Sequence, residues 1–256
     1  MIVPLLLACT APTAPNGAVD SAADTADTAD TADTADTADT ADVKNYVVTS
    51  YTVADRGVGF DFDGDGEIDN AIWALGGLLD PQISEAIAVA QHVVIQQVND
   101  IHDWSDDDTI SVGVLTATDD DGDGTDNGSG TDVYDAGAQV DADGNAIAAT
   151  DTALIGGSYA VSLATGPLTV GAYVLELATG LFVDAAITPV GESGRLGFGI
   201  SIEKLEVALE AEGASEDVVN ALAGLADLDL AGEDGIDDAI SMAFQFEAAA
   251  CVLAGK

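Results

Sequence analysis

Basic side chains are scarce in this sequence: five lysines and arginines stand against 47 aspartates and glutamates, giving a net charge of −42. A chain this acidic repels nucleic acids and anionic lipid surfaces, so we expect no nucleic-acid partner. Two explanations of the charge stay open, namely divalent cations that neutralise local clusters and a surface adapted to salty surroundings. Aromatic residues are also few, at 5%, which argues against a stacking platform for single strands or carbohydrates.

Cysteine is scarce as well, with two residues in the chain. The first, Cys9, ends the segment MIVPLLLAC at residues 1–9, which is too short to span a bilayer and lacks the basic start of an export signal. We interpret residues 1–9 as a truncated lipoprotein signal peptide, because Leu6-Leu7-Ala8-Cys9 resembles the bacterial lipobox. That resemblance implies lipidation of Cys9 and a membrane anchor, and it leaves Cys251 unpaired. The alternative is an apolar N-terminus with an incidental cysteine.

Large apolar side chains are missing from the Asp-Thr-Ala repeats of residues 24–42. Such a segment cannot bury enough surface to offset the entropy lost on ordering. We therefore predict a disordered tether over residues 10–43. Thr10, which follows the lipobox cysteine, favours the outer membrane, so the expected location is extracytoplasmic, at the outer membrane or cell surface.

From Lys44 onward the composition is globular, and we predict a single domain over residues 44–256 with an acidic insert at 119–145 that is too polar to pack. Alternating apolar residues predict strands over residues 46–53, 109–118 and 239–254, with five short runs between 159 and 200.

Helical spacing of apolar residues supplies the rest of the predicted fold. It predicts helices at residues 71–75, 83–101, 202–209 and 215–225. The expected fold class is therefore α+β, an antiparallel sheet with helices inserted after the first strand and before the last strand.

Residues 61–70, DFDGDGEIDN, carry acidic side chains with the spacing of an EF-hand calcium loop. The expected Ca²⁺ ligands are the carboxylates of Asp61, Asp63, Asp65 and Asp69 and the backbone carbonyl of Glu67. Gly66 permits the sharp turn, and Ile68 is expected to face the core. Ile72 replaces the bidentate glutamate at position twelve, so we expect weak binding, on the order of 10⁻⁴ M. The alternative is that these aspartates only form Asx turns.

A second acidic cluster precedes the last predicted strand, from Asp227 to Asp238. Within it, Asp234 and Asp237 echo the end of the first loop, so the cluster could lend the missing ligand or hold a second ion. An acidic turn between helix and strand is the alternative. The sequence DDDGDG at 119–124 repeats the spacing once more, with solvated disorder as its alternative.

Candidate catalytic residues are few. His92 and His102 lie ten positions apart on the predicted helix, so they cannot reach a common metal as the histidines of His-Glu-x-x-His do. His102 could contact a metal together with Asp103, Asp106 and Asp107, and a solvated helix end is the alternative. The sequence has no Gly-x-Ser-x-Gly elbow, phosphate-binding loop or Cys-x-x-Cys pair.

The order of these features resembles that of uncharacterised surface lipoproteins of environmental bacteria, whose domain opens on a G-x-D-x-D-G-D-G-x-x-D-N loop. The matching residues are Gly59, Asp61, Asp63, Gly64, Asp65, Gly66, Asp69 and Asn70, and later Asp234, Gly235, Asp237 and Ser241. The loop alone also resembles those of dockerins and thrombospondin-type calcium repeats, although Ile72 departs from both. The resemblance implies an envelope location and a calcium site, and no catalytic activity.

These observations predict a non-enzymatic, lipid-anchored envelope protein whose extracytoplasmic domain is stabilised by calcium. Two alternatives stay open. One is an extracellular hydrolase or ligand-binding protein with a pocket on the sheet, and the other is a calcium-dependent adhesion or matrix module that uses the insert at 119–145.

Overall fold

The computed structural model describes residues 42–88, 93–119, 133–164, 167–170, 173–211, 220, 223–230 and 237–254. The predicted lipidation residue Cys9, most of the predicted tether, His92 and Asp234 lie outside these residues. The predicted helix at 215–225 also falls mostly outside them.

Eight antiparallel strands form one sheet that closes on itself. In chain order they are β1 (Asp42–Val53), β2 (Val93–Ile101), β3 (Asp106–Asp119), β5 (Ala149–Ile155), β6 (Ser158–Leu163), β9 (Leu181–Thr188), β10 (Gly191–Ser201) and β11 (Ala239–Leu253). Each strand pairs with the next one in this series, and β11 pairs with β1 to complete the barrel, in a register that runs from Asn45 opposite Cys251 to Val53 opposite Phe244.

Three short strands lie beside the barrel strands. β4 (Val133–Asp135) runs parallel to the end of β11 and antiparallel to the end of β3. β7 (Pro167–Val170) and β8 (Tyr173–Glu176) form a separate two-stranded hairpin.

The barrel interior is filled by the apolar residues that alternate along each strand. In β9, Leu181, Val183, Ala185 and Ile187 are buried, whereas the residues between them are half-buried or exposed. Successive side chains of a strand point to opposite faces of the sheet, so a period of two places one face of every strand in the core. The same core extends to residues of β1, β10 and β11 and to Ile72.

The predicted α+β fold class is wrong, because the described chain is mostly β structure organised as a closed barrel. Its described helices are short: 3-10 helices at Ala71–Leu75 and Gly137–Gln139, α1 (Gly76–Ala88) and α2 (Ile202–Ala211). None of the helices in the described ranges is both long enough and apolar enough to cross a membrane.

The predicted long helix at 83–101 is the largest local error. The helix ends at Ala88, and residues 93–101 form strand β2. β2 is buried on both faces, and even Gln96 and Gln97 have no exposed surface. Because both faces of β2 are covered, its apolar residues do not alternate strictly with polar ones, and Val94, Val98 and Ile101 happen to stand at the spacing of a helix.

The outer face of β2 is covered by part of the segment predicted to be too polar to pack. Tyr134 is fully buried there in a second core cluster. The Gln97 side chain donates to the carbonyl of Gly144 at 2.8 Å and accepts the N–H of Ala146 at 2.6 Å. The prediction for residues 119–145 is therefore wrong from residue 133 onward.

Candidate metal site

The loop at residues 59–70 extends from the barrel, and one backbone bridge between its two ends closes it. The N–H of Asp69 donates to the carbonyl of Phe60 at 2.8 Å, and these residues form an isolated antiparallel pair. Between them, Gly64 and Gly66 have φ angles of +83° and +90°. This left-handed conformation favours glycine strongly, and it lets the chain turn back so that Asp61 and Asp63, before the first glycine, converge with Asp65, between the two glycines.

Three carboxylates meet in this loop. Ligand oxygens of Asp61, Asp63 and Asp65 lie within 4.8 Å of one another, and in the described part of the chain no other such group of acidic, histidine or cysteine side chains occurs. Asp61 accepts the N–H groups of Gly64 and Gly66 at 2.7 and 3.1 Å, and Asp65 accepts that of Glu67 at 2.7 Å. The three aspartates could therefore hold a metal ion.

Asp69, the fourth predicted carboxylate ligand of the first loop, is not part of this group. The Asp69 carboxylate accepts the N–H of Phe62 at 2.8 Å. Burial, followed by the nearby charges of Asp63, Asp227 and Asp65, raises the pKa of Asp69 to about 6 against the lowering effect of that hydrogen bond. Glu67 is expected to bind through its backbone carbonyl, so the exposure of its side chain does not bear on that prediction. The structure thus brings together three of the four predicted carboxylate ligands, Asp61, Asp63 and Asp65.

The end of the loop is fixed by buried hydrogen bonds. The Asn70 amide group donates to the carbonyls of Ala54 and Val58 at 2.8 and 3.2 Å and accepts the N–H of Ala243 at 3.3 Å. Ile72, at position twelve of the loop, is 3% exposed and belongs to the core. Ile68 was expected to face the core, but it is 48% exposed, so that prediction is wrong.

The second acidic cluster approaches the loop through Asp227 and Ser241. The Ser241 hydroxyl accepts the N–H of Ala71 at 2.7 Å and donates to the carboxylate of Asp227. Asp227 also accepts the Ser241 N–H at 2.8 Å. Burial raises the pKa of Asp227 above its usual value, and the two hydrogen bonds from Ser241 offset only part of that rise. Asp237 is exposed and is not part of the metal group. Among the residues of the cluster that the structure describes, Asp227 is linked to the end of the loop through Ser241.

Three aromatic rings attach the loop to the outer wall of the barrel. The rings of Phe60, Phe62 and Phe182 pack with centroids 5.2–5.7 Å apart. They lie over Gly197, where a Cβ atom would come within 2.7 Å of the Phe60 ring. The missing side chain of this glycine therefore creates the space that the rings fill.

Arg195 ties the aromatic cluster to the loop backbone. Its guanidinium lies 5.0 Å from the centroid of the Phe60 ring, donates to the carbonyl of Gly59 at 2.8 Å and forms an ion pair with Asp184 at 2.6 Å. Sequence reasoning did not identify Arg195, Gly197 or the two loop phenylalanines as supports of the site. The available signal was an arginine in the glycine-rich run of strand β10, GESGRLGFGIS.

A second loop shows what the same turn chemistry looks like without converging carboxylates. Asp141 accepts the N–H groups of Asp143 and Asn145, both at 2.9 Å, and the loop is closed by an isolated bridge between Val140 and Ala146. These are the Asx-type hydrogen bonds of the first loop. Asp141 and Asp143 belong to no group of three ligands, so Asx turns alone do not create a metal site.

The described histidine lies in a separate acidic depression of about 400 Å³. His102 Nδ1 is 3.5 Å from an oxygen of Asp107. Backbone N–H donors, above all that of His102, lower the pKa of Asp107. The nearby Ser105 hydroxyl donates to Asp103 at 2.7 Å.

A buried carboxyl group inside the barrel was not anticipated from the sequence. Glu192 is 4% exposed, and its Oε1 lies 2.5 Å from the Tyr159 hydroxyl, which is also 3.0 Å from Gln96 Oε1. Burial raises the pKa of Glu192 to about 8. Glu192 lines neither the His102 depression nor the shallow groove of about 670 Å³ on the outer wall at Arg195.

No protein-family model matches this chain, and no curated protein and no solved structure matches it either.

Proposed function

We propose that this chain is a non-enzymatic envelope protein whose barrel domain binds one structural Ca²⁺ ion at Asp61, Asp63 and Asp65. The convergence of these three carboxylates within 4.8 Å carries the proposal. A cation between them would offset their mutual repulsion. It would also fix the turn that joins β1 to the first helix.

The chemistry of the donors favours calcium over magnesium. All three ligands are hard carboxylate oxygens from one short loop, so further oxygens must come from main-chain carbonyls and water. Ca²⁺ accepts six to eight oxygens in irregular geometry, whereas Mg²⁺ demands a near-ideal octahedron. The core position of Ile72 removes the bidentate ligand of an EF-hand, so we expect a dissociation constant on the order of 10⁻⁴ M.

The proposed location rests on the sequence. Leu6-Leu7-Ala8-Cys9 fits a lipobox, and the following Asp-Thr-Ala repeats fit a solvated tether that holds the barrel away from a lipid-anchored Cys9. A site of millimolar-range affinity suits calcium concentrations outside the cytoplasm, because extracellular calcium modules bind in that range.

Thermal unfolding with and without calcium tests the metal site. At a calcium concentration a hundred times the dissociation constant, a ligand that binds only the folded state stabilises it by about 2.7 kcal/mol. For a domain of this size that corresponds to a rise in melting temperature of roughly 5–10 °C. The measurement compares 10 mM CaCl₂ with EGTA, with titration calorimetry for the stoichiometry.

Asp61→Asn and Asp141→Asn form a matched pair of variants. Both remove a charge from an aspartate that accepts two backbone N–H groups in an Asx-type loop. We expect Asp61→Asn to abolish the calcium-dependent rise and Asp141→Asn to keep it. An equal rise in Asp61→Asn and wild type would contradict the site, and no rise in wild type would contradict the proposed structural ion altogether.

A further inference from the structure

The hydroxyl of Ser241 links the acidic loop to a part of the chain 170 residues away. Ser241 is completely buried on β11 and accepts the N–H of Ala71, directly after the loop. Asp227 accepts both the hydroxyl proton and the N–H of Ser241. Because the hydroxyl proton is committed to Asp227, a lone pair of the oxygen is free to face Ala71. Asp227 thereby orients the contact that Ser241 makes.

The acidic loop needs such a constraint when no cation is bound. Carboxylates of Asp61, Asp63 and Asp65 within 4.8 Å of one another repel. A loop free to move would relieve this repulsion by spreading, and cation binding would then have to reverse the spreading. A support that holds the end of the loop keeps the free state close to the bound geometry, and preorganisation of this kind raises affinity.

We infer that Ser241 and Asp227 are positioning residues for the proposed calcium loop, and that they transmit calcium binding to the segment 223–230 and the start of β11. The inference rests on the proposed function. In this inference neither Ser241 nor Asp227 contacts the ion, and both raise the affinity of the loop for calcium. Because coupling between sites is reciprocal, calcium should also reduce local opening around Asp227 and Ser241.

Thr179→Val is the matched control for Ser241→Ala. Thr179 is also buried, and its hydroxyl accepts the N–H of Gly199 at 2.7 Å. Gly199 pairs with Ser241 across β10 and β11. The two variants therefore remove the same kind of buried acceptor in neighbouring positions, and Ala71 loses its acceptor only in Ser241→Ala.

The experiment titrates CaCl₂ into the wild-type chain and the two variants by calorimetry, and it follows amide hydrogen exchange of the wild type with and without calcium. We expect Ser241→Ala to bind calcium roughly three- to tenfold more weakly, the loss that corresponds to one hydrogen bond, and Thr179→Val to bind as wild type does. We also expect calcium to slow wild-type exchange at 227–230 and 239–241.

Equal affinities of Ser241→Ala and wild type, or equal losses in both variants, would overturn the positioning role while leaving the calcium site intact. Should Ser241→Ala fail to fold, the exchange measurement decides, and unchanged exchange at 227–230 and 239–241 on calcium binding overturns the inference. A wild-type chain that binds no calcium would overturn the proposed function and this inference with it.

Discussion

Glu192 offers the sharpest test of the barrel interior, because a neutral isostere can replace it. Its second oxygen, Oε2, has no hydrogen-bond partner in the described part of the chain, so an ionised carboxylate there would be poorly compensated. Burial accordingly raises the pKa of Glu192 from 4.5 to about 8. Glu192→Gln keeps the volume and an acceptor for the Tyr159 hydroxyl, and it removes the ability to ionise.

The difference between the two pKa values fixes the size and the sign of the effect. Between pH 4.5 and about pH 8 the unfolded chain has lost the Glu192 proton and the folded chain keeps it. Stability of the wild type therefore falls with rising pH in this window, by about 1.4 kcal/mol per pH unit relative to the variant, and then stays level. Between pH 4 and pH 7 Glu192→Gln should therefore gain about 3 kcal/mol of stability relative to the wild type.

Urea unfolding at pH 4, 5.5, 7 and 8.5 in the presence of EGTA measures this difference. Titration of the other carboxyl groups is common to both proteins, so it cancels when their unfolding free energies are subtracted. Glu247→Gln, an exposed substitution on the neighbouring strand β11, should change stability by less than about 0.5 kcal/mol throughout. A difference between wild type and Glu192→Gln that does not vary with pH would refute the reasoning.

Two further predictions concern the support of the loop and the membrane anchor. Gly197→Ala should lower the unfolding free energy, measured in urea, by about 1–3 kcal/mol, because its Cβ would meet the Phe60 ring at 2.7 Å and the Met242 carbonyl at 2.9 Å. The control Gly77→Ala, whose Cβ would meet nothing within 4 Å, should not destabilise the protein. A similar loss in both variants would contradict the packing argument. Cys9→Ser should move the protein from the membrane fraction to the soluble fraction of a lipoprotein-processing host and abolish palmitate labelling, whereas Cys251→Ser should leave both unchanged. Labelling that persists in Cys9→Ser would exclude the lipobox.

Prediction from the sequence succeeded where local pattern decides the outcome. The alternating run at 181–187 is strand β9, and the run from 239 is strand β11. The spacing of Asp61, Asp63 and Asp65 also sufficed to find the converging carboxylates, because a five-residue turn around glycines with positive φ leaves their side chains little choice.

Prediction failed where distant segments decide the environment. The run at 93–101 is a strand because it pairs with β1 and β3, and residues from 133 onward cover its outer face. Nothing within the run indicates these partners. Asp69 stays a predicted ligand: its carboxylate lies outside the group of Asp61, Asp63 and Asp65, and its pKa depends on burial and on Asp227, which the local spacing does not indicate. The chemistry of both segments depends on neighbours far away in the sequence.

The sequence by itself determined the alternating pattern of the strands and the acidic turn, because each follows from residues close together in the chain. It also determined the extreme net charge, which depends on composition alone. Only the tertiary structure decided that the sheet closes between β1 and β11, that Glu192 lies in its interior, and that Ser241 with Asp227 holds the end of the acidic loop. Two of these features, the pairing of β1 with β11 and the hydrogen bond from Ala71 to Ser241, join residues more than a hundred positions apart. Their geometry follows from the closure of the barrel, which brings the end of the chain beside its first strand.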